Sequence, residues 1–496
     1  MTSAREQLSK YATQSQMSSF FIDKMGIYNV KAYGAAGNGV VDDSSSINST
    51  IEAADDDGGI VFFPVGTYKI ENNITAPPNI TLWFADGAKL QIDSGKIVTI
   101  NGNLSAGLHQ IFAGSGTVAG SMKTQRFFPQ WWGAVGDAVN DDTSAINAAI
   151  TAASNAGGGE VFLPEGRYKT TDTINLYNNI HLKGVGGVNL GSGTTQIEAN
   201  VNGANAMELP DIGSSHYNVV IEGLVVQFQG AGTPQYGIYL YNFCSGCVLR
   251  NVTVKSFNHN VGLTQSWYSA IENVQATYAT EIGFVLSVCN SMVFLNCSAS
   301  HNKDGFSLTQ NSRSNTFAGC SSEANSRYGI YITYAKGTTI DGMYFEGNTS
   351  ADIITGYFSA STNNTRGLII NGTYHSGSTD TNYGINIGLY AESVVINAPY
   401  IGDRAKAGIR IDSSVTQNVL INNPYFASPY SSSAISDDSG VAMIIQDQCL
   451  LLPALSTAPS DKAGRLAISD GTGGGFDGVS GAGLYRNSGA SWTFVG

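Results

Sequence analysis

The chain of 496 residues carries 38 Asp or Glu against 25 Lys or Arg, a formal net charge of −13. Hydrophobic residues make up 42% and charged residues only 13%, so a large core can be buried and a disordered chain is excluded. Sparse Lys and Arg exclude a phosphate-tracking surface and with it a nucleic-acid partner, while a surface rich in Asn, Ser, Thr, Gly and Tyr suits carbohydrate.

Residues 1–26 open with MTSAREQLSKYATQSQMSSFFIDKM, which lacks the apolar stretch of a secretory signal. Over residues 2–25 the pattern predicts a short amphipathic helix for self-association or attachment. No run of 18 apolar residues occurs, so membrane insertion is not expected. The six cysteines (Cys244, Cys247, Cys289, Cys297, Cys320 and Cys449) are read as buried thiols of a chain made in a reducing cytoplasm. Cys244 and Cys247 form a lone CxxC without a second pair or a nearby His, so no metal and no cofactor are expected.

A tandem motif follows. Gly34 to Ile51 reads GAAGNGVVDDSSSINSTI, and Gly133 to Ile150 reads GAVGDAVNDDTSAINAAI, 99 residues later. Each copy leads into a matching block, GGIVFFPVGTYK at Gly58 to Lys69 and GGEVFLPEGRYK at Gly158 to Lys169. The physical reading is a glycine turn, an Asp pair that caps a helix, a glycine stop and a strand ending in Pro-x-Gly. Asp42, Asp43, Asp141 and Asp142 look like catalytic carboxylates, but their place inside the motif marks them as cap and turn residues. This block resembles the N-terminal signature of the pectate-lyase-3 superfamily, whose members fold as right-handed parallel β-helices. The resemblance covers about 40 residues in each copy. It implies an all-β solenoid and a leaning toward polysaccharides, but no particular reaction.

From about Gly223 a β-rich segment recurs as LRNVTV, IENVQA, FLNCSA, FAGCSS, TIDGMY, IINGTY, VINAPY and LINNPY. With Asn251, Asn273, Asn296, Gly319, Asp341, Asn371, Asn397 and Asn422 as references, the spacings are 22, 23, 23, 22, 30, 26 and 25. Such a period with strand-like content is a solenoid signature, one coil per repeat. Cys297 and Cys320 share an offset that places them in an inward stack. The long spacing after Asp341 predicts a loop near 357–365 that walls a groove. The expected organisation is an abbreviated first β-helix module over 27–127, the main parallel β-helix over 128–448, and a C-terminal cap or trimerisation segment over 449–496.

The closing GLYRNSGASWTFVG resembles the small β end segments of phage tail fibres and tailspikes. That resemblance covers about 30 residues and implies a parallel homotrimer in the virion tail that cleaves bacterial capsule or O-antigen. Residues 1–26 would then contact tail or baseplate proteins. A trimer would also protect open solenoid edges.

The repeat register serves as a ruler for chemistry. Counted from the references, Tyr278, His301, Glu323 and Glu346 are expected to form one stripe over four coils, beside a second stripe of Glu281, Asp304 and Arg327. Glycoside hydrolysis needs two carboxyl groups ~5–9.5 Å apart, which neighbouring coils supply. Glu323 and Glu346 are the expected acid and base or nucleophile, with Asp304 or Asp341 positioning water. Trp267, Tyr278, His301, Arg327, Tyr328, Tyr331 and Tyr344 are the expected sugar contacts. Three other readings stand beside this one: solvated turn carboxylates, tyrosines that pack coils or subunits, and a non-catalytic receptor-binding tail protein. A lyase or epimerase would use His301 or Tyr278 as base near Lys303 or Arg327. The NTD and GHG motifs of polygalacturonases are missing from the sequence, so a pectin-type assignment is not expected.

Overall fold

The computed structural model describes residues 26–496 except 56–57, 187–192, 212, 357–363, 378–380, 389–390, 416, 428–432, 447–448, 452–453, 456–465, 471–481, 488–491 and 495–496. The helix expected over residues 2–25 and most of the loop expected near 357–365 lie outside the described residues. The chain is all-β, a parallel β-solenoid, and the α-helices among the described residues are α1 (Ser44–Asp55) and α2 (Thr143–Asn155). No helix among them is long and apolar enough to cross a membrane. The fold divides into two compact units, residues 1–261 with 268–274, and residues 262–267 with 275–496.

The first unit begins with three small parallel sheets, each of three or four strands. Strands Ile60–Phe63 and Gly66–Ile70 alternate, with Val61, Phe63, Tyr68 and Ile70 turned inward. Parallel register then stacks like on like: Val61 lies beside Leu82, and Phe63 stacks on Phe84 at 4.5 Å. From Arg126 a new set of three sheets starts, in which Gly159–Phe162 belongs to a first face, Gly166–Thr170 to a second and Ile174–Asn175 to a third. Trp131 closes the entrance to this set. It is buried, and its indole N–H donates to the Gly107 carbonyl at 3.0 Å, a packing role.

The second unit repeats the same three faces. Each coil contributes one strand to each, as in Thr316–Ala318, Ser321–Glu323 and Tyr328–Ile332. The turn from first to second face is made by one residue of positive φ per coil: Asn296 (53°), Gly319 (58°), Gly342 (58°) and Gly372 (52°). Each of these donates its N–H to a carbonyl one coil on, such as Gly319 to Asp341 at 3.0 Å and Gly342 to Asn371 at 2.9 Å. Left-handed backbone favours Gly and Asn, so this turn residue is the physical marker of register. It corrects the sequence ruler: the true counterpart of Gly319 is Gly342, not Asp341. Cys297 and Cys320, one residue past the turn, are buried as expected, and the described cysteines Cys244, Cys247, Cys289, Cys297 and Cys320 form no disulfide.

A buried amide ladder pins that register. The side-chain oxygen of Asn325 accepts from the Asn302 backbone N–H at 3.0 Å, and that of Asn348 accepts from Asn325 at 3.3 Å. Their amide groups donate to the carbonyls of Ala276, Ala299 and Ser322 at 2.9–3.2 Å. Buried polar groups must be paired, and a one-residue slip would unpair all of these at once. The stack ends where Cys449–Leu451 pairs antiparallel with Ala442–Gln446. Beyond it, Ala454–Leu455, Leu466–Asp470, Ala482–Asn487 and Trp492–Phe494 form a small separate sheet, the expected β end segment.

The tandem motif is structural in both copies. Asp43 is buried and accepts from the backbone of Ala36 at 2.6 Å and of Gly37 at 3.2 Å, holding the glycine loop. Asp142 does the same for Val135 at 2.7 Å and Gly136 at 3.1 Å. Asp42 and Asp141 instead receive the first helical residue, taking the hydroxyl of Ser44 or Thr143 at 2.5 Å together with its N–H. The two carboxylates of each pair therefore divide loop and helix between them. Burial acts to raise the pKa of Asp42 and Asp141, but the hydrogen bonds from Ser44, Glu71 and Asn72, or Thr143 and Thr171, outweigh it and hold both below the ordinary value. In Asp142 burial prevails and its pKa is raised. Groups with depressed values stabilise the fold above the unfolded pKa of ~3.9, and that stability is lost as pH falls through the folded value. Asp142 works in the opposite sense, since its protonation at low pH favours the fold. The Asp42→Asn/Asp141→Asn protein should therefore have a lower Tm at pH 7 and a flatter acid limb below about pH 4, as measured by thermal unfolding from pH 7 to 3. A variant whose acid limb matches the wild type would contradict this.

Candidate functional site

The site is built on the second face of the second unit, where the turn residue fixes every position after it. Four residues past Gly319 and Gly342 come Glu323 and Glu346, and the two pair directly in register on neighbouring parallel strands. Ser300 precedes them in the same column. Side chains at this position point outward, because Ser322 and Phe345 between them are buried in the core. Glu346 is exposed and accepts a hydrogen bond from the Tyr344 hydroxyl at 2.6 Å. That contact, with burial second, raises the pKa of the Tyr344 phenol.

Tyr278 and His301 occupy the next column, not the same one. Both have φ of 57°, and they mark the turn from second to third face together with Ala324 and Gly347. Their rings stack at 4.8 Å with 23° between planes. The single stripe expected from the sequence is thus two adjacent columns: Tyr278 and His301 lie five residues past their turn residues and Glu323 only four, while setting Asp341 where Gly342 belongs gave Glu346 the offset of His301. The second expected stripe also divides. Asp304 starts a third-face strand in register with Tyr328, whereas Arg327 lies one residue earlier. Asp304 is fully buried and its two oxygens are held by the Nε (2.8 Å) and Nη2 of Arg327. This pairing, more than any other contact, raises the pKa of Arg327. The Arg327 guanidinium also lies over Tyr328 at 4.8 Å, and Tyr328 stacks on Tyr331 at 5.6 Å. Lys303 Nζ is paired to Glu281 at 2.6 Å.

Two expected residues stand elsewhere. Asp341 ends a first-face strand, and Trp267 bridges to Asn290 at the turn from third to first face. The structure therefore gathers Glu323, Glu346, Tyr344, Tyr278 and His301 along the second face and its edge, sets Arg327, Tyr328, Tyr331 and the buried Asp304 beside them, and leaves Asp341 and Trp267 apart. It also adds residues the sequence reading passed over. Tyr374, Tyr400 and Tyr425 continue the Tyr344 column, with successive ring centroids 5.5, 4.5 and 5.1 Å apart. Their signal was the Tyr closing IINGTY, VINAPY and LINNPY. A second addition is an acid–imidazole pair, Asp352 with His375 Nδ1 at 3.1 Å, joined by Arg404 Nη2 at 2.6 Å and Asn348 at 2.9 Å. Asp352, His375 and Arg404 are all fully buried, and burial lowers the pKa of His375. Sealed from solvent, this cluster serves the core.

A parallel β-solenoid that presents paired carboxylates and tyrosines on one open face defines the class. The chain belongs to the rhamnogalacturonase A/epimerase, pectate lyase-like family, whose model matches residues 27–94 and 131–331, more than half of the sequence. Among curated proteins it is similar to mannuronan C5-epimerase AlgE1 of Azotobacter vinelandii, 45% identical over 62 residues. That match covers 11% of this chain and only 4% of the epimerase. Among solved structures it is similar to the A-module of mannuronan C5-epimerase AlgE4 from the same organism, with a TM-score of 0.54 and 19% identity over 64% of this chain and 94% of the module. A further neighbour is the gp42 tailspike of Acinetobacter phage vb_AbaP_AS12, with a TM-score of 0.46 and 12% identity over 75% of this chain and 79% of that one.

The Asp304–Arg327 pair tests how the edge of the site is held. Removing one partner of a buried pair leaves an uncompensated charge. Because the Arg327 side chain is 41% exposed, solvent screens part of the loss. Arg327→Ala should cost about 3 kcal/mol, whereas Arg327→Ala/Asp304→Asn should recover most of it. Denaturant unfolding measures both, and an Arg327→Ala midpoint equal to wild type would contradict the dependence of the buried Asp304 on Arg327.

Proposed function

We propose that this chain is a tailspike-type glycoside hydrolase that binds and cleaves bacterial surface polysaccharide, capsule or O-antigen. The observation that carries the proposal is the in-register pairing of Glu323 and Glu346 on an outward face. Neighbouring parallel strands are ~4.8 Å apart, close to the ~5–5.5 Å between carboxyl groups that retaining glycosidases use. Glu346, exposed and oriented by the hydrogen bond it receives from the Tyr344 hydroxyl, suits the nucleophile. Glu323 is then the acid that protonates the leaving oxygen and afterwards the base that activates water. Tyr278, His301, Tyr328, Tyr331 and Tyr344 offer aromatic surface for sugar rings. The names of the epimerases it resembles support a polysaccharide substrate, and the closing GLYRNSGASWTFVG supports a place in the virion tail. In this reading residues 1–26 attach to tail or baseplate proteins, residues 449–496 help assemble a homotrimer, and Asp304 positions the Arg327 edge without touching substrate.

The likeness to mannuronan epimerases favours a second reading, in which His301 abstracts a proton from a uronate. Against it, the nearby cations Lys303 and Arg327 are already paired with Glu281 and Asp304. Purified protein incubated with host polysaccharides separates the two. Hydrolysis predicts new reducing ends without ultraviolet absorbance, and Glu323→Gln should lower the rate roughly 10²–10⁴-fold while leaving polymer binding intact. Cleavage undiminished in both Glu323→Gln and Glu346→Gln overturns the assignment, an unsaturated uronate product favours the lyase reading, and binding without any product makes the chain a receptor-binding protein.

A further inference from the structure

The tyrosine column has a feature that coil packing alone does not require. Tyr344, Tyr374, Tyr400 and Tyr425 open successive second-face strands in register, and their planes differ by only 8°, 3° and 18°. Inside the same unit, coils are joined by phenylalanine stacks, Phe284 on Phe306 and Phe294 on Phe317, both at 4.8 Å. Stacking needs ring faces only, and phenylalanine supplies it. On the outer column each ring also carries a hydroxyl. With the faces turned to one another, edges and hydroxyls are what these residues present to solvent, and Tyr374 and Tyr425 are 45% and 60% exposed.

Spacing and charge say what such a row fits. Its repeat of 4.5–5.5 Å is close to the advance per residue of an extended hexose polymer. Within the second unit this face turns out Gln275, Thr277, Ser298, Ser300 and Ser321, so the formal charges that the described second-face strands of that unit present are the two carboxylates of Glu323 and Glu346. An acidic polymer laid here would meet two like charges at close range, a costly juxtaposition. A neutral glycan would meet hydroxyls, amides and ring edges throughout.

We infer that Tyr344, Tyr374, Tyr400 and Tyr425 form an extended binding arm for a neutral, uronate-free glycan. The polymer lies along the direction of strand stacking, one sugar residue per strand, and reaches the carboxylate pair at Tyr344. The position of the scissile bond rests on the hydrolase reading, but the binding arm does not.

The test uses the full chain carrying Glu323→Gln, with and without Tyr374→Phe/Tyr400→Phe, against purified bacterial surface polysaccharides sorted by the presence or absence of uronate. The phenylalanine pair preserves the stack, so Tm and sedimentation should match the parent. Titration calorimetry should show neutral polymers binding at least tenfold more tightly than uronate polymers, and the phenylalanine pair should weaken neutral binding at least fivefold. Unchanged affinity in the phenylalanine variant, tighter binding of uronate polymers or failure of every neutral polymer to bind overturns the inference. A sedimentation change in that variant also overturns it, by making the column a subunit contact. Reducing-end assays with the Glu323 protein keep the two ideas apart. A neutral polymer bound through the tyrosines but never cleaved sinks the hydrolase reading and leaves the arm standing.

Discussion

Parallel strands stacked in exact register force every position of one coil to sit on the same position of the next, ~4.8 Å away. Two devices keep that register in the second unit. A left-handed residue turns the chain at each edge of the second face, as at Gly319 and Ala324, and hands its N–H to the neighbouring coil. Just inside, Asn302, Asn325 and Asn348 link coil to coil through their amides. A slip of one residue would turn outward groups inward and unpair the ladder. Any chemistry on the face inherits its geometry from this constraint.

The same constraint sorts carboxylates by role. Asp43, Asp142, Asp304 and Asp352 are buried, and each is occupied by backbone amides, a guanidinium or an imidazole. Such groups have little left to offer a substrate, and what they stabilise is a loop, a corner or the core. Glu323 and Glu346 lie outward in one column, with the Tyr344 hydroxyl as a neighbour in place of a cation. Position relative to the turn residue, more than residue type, separates structural acids from those free to meet a sugar.

Much of the architecture was legible because it is written in local spacing. The glycine turn, Asp pair and apolar helix positions gave both α1 and α2 and the strands after them, and the Asp pairs were read as structural. The detail was not visible: Asp43 and Asp142 turn back to the glycine loop, which depends on where Ala36 and Val135 place their amides. The solenoid period was legible too, but the ruler followed the letters of IENVQA and TIDGMY instead of the φ that a turn demands. Aligning Asp341 where Gly342 belongs gave Glu346 the offset of His301, and Glu323, four residues past Gly319 where His301 is five past Asn296, was drawn into the same stripe. The burial of Asp304 depends on Arg327, 23 residues later, whereas the tyrosine ladder was there to be read, since Tyr344, Tyr374, Tyr400 and Tyr425 each stand three residues past Asp341, Asn371, Asn397 and Asn422, which pair in register. Long-range pairing decided what composition could not.

This register sets Glu323 and Glu346 side by side on an outward face. Replacing both by histidine tests it directly, since two imidazoles at one register on neighbouring strands can share a Zn²⁺ ion. The Glu323→His/Glu346→His protein should be stabilised by Zn²⁺, by about 2.7 kcal/mol at a hundredfold excess over Kd, read as a metal-dependent rise in Tm. The Ala324→His/Glu346→His protein, one residue out of register, should show no such rise. Stabilisation of the second variant and not the first would contradict the register on which the site rests.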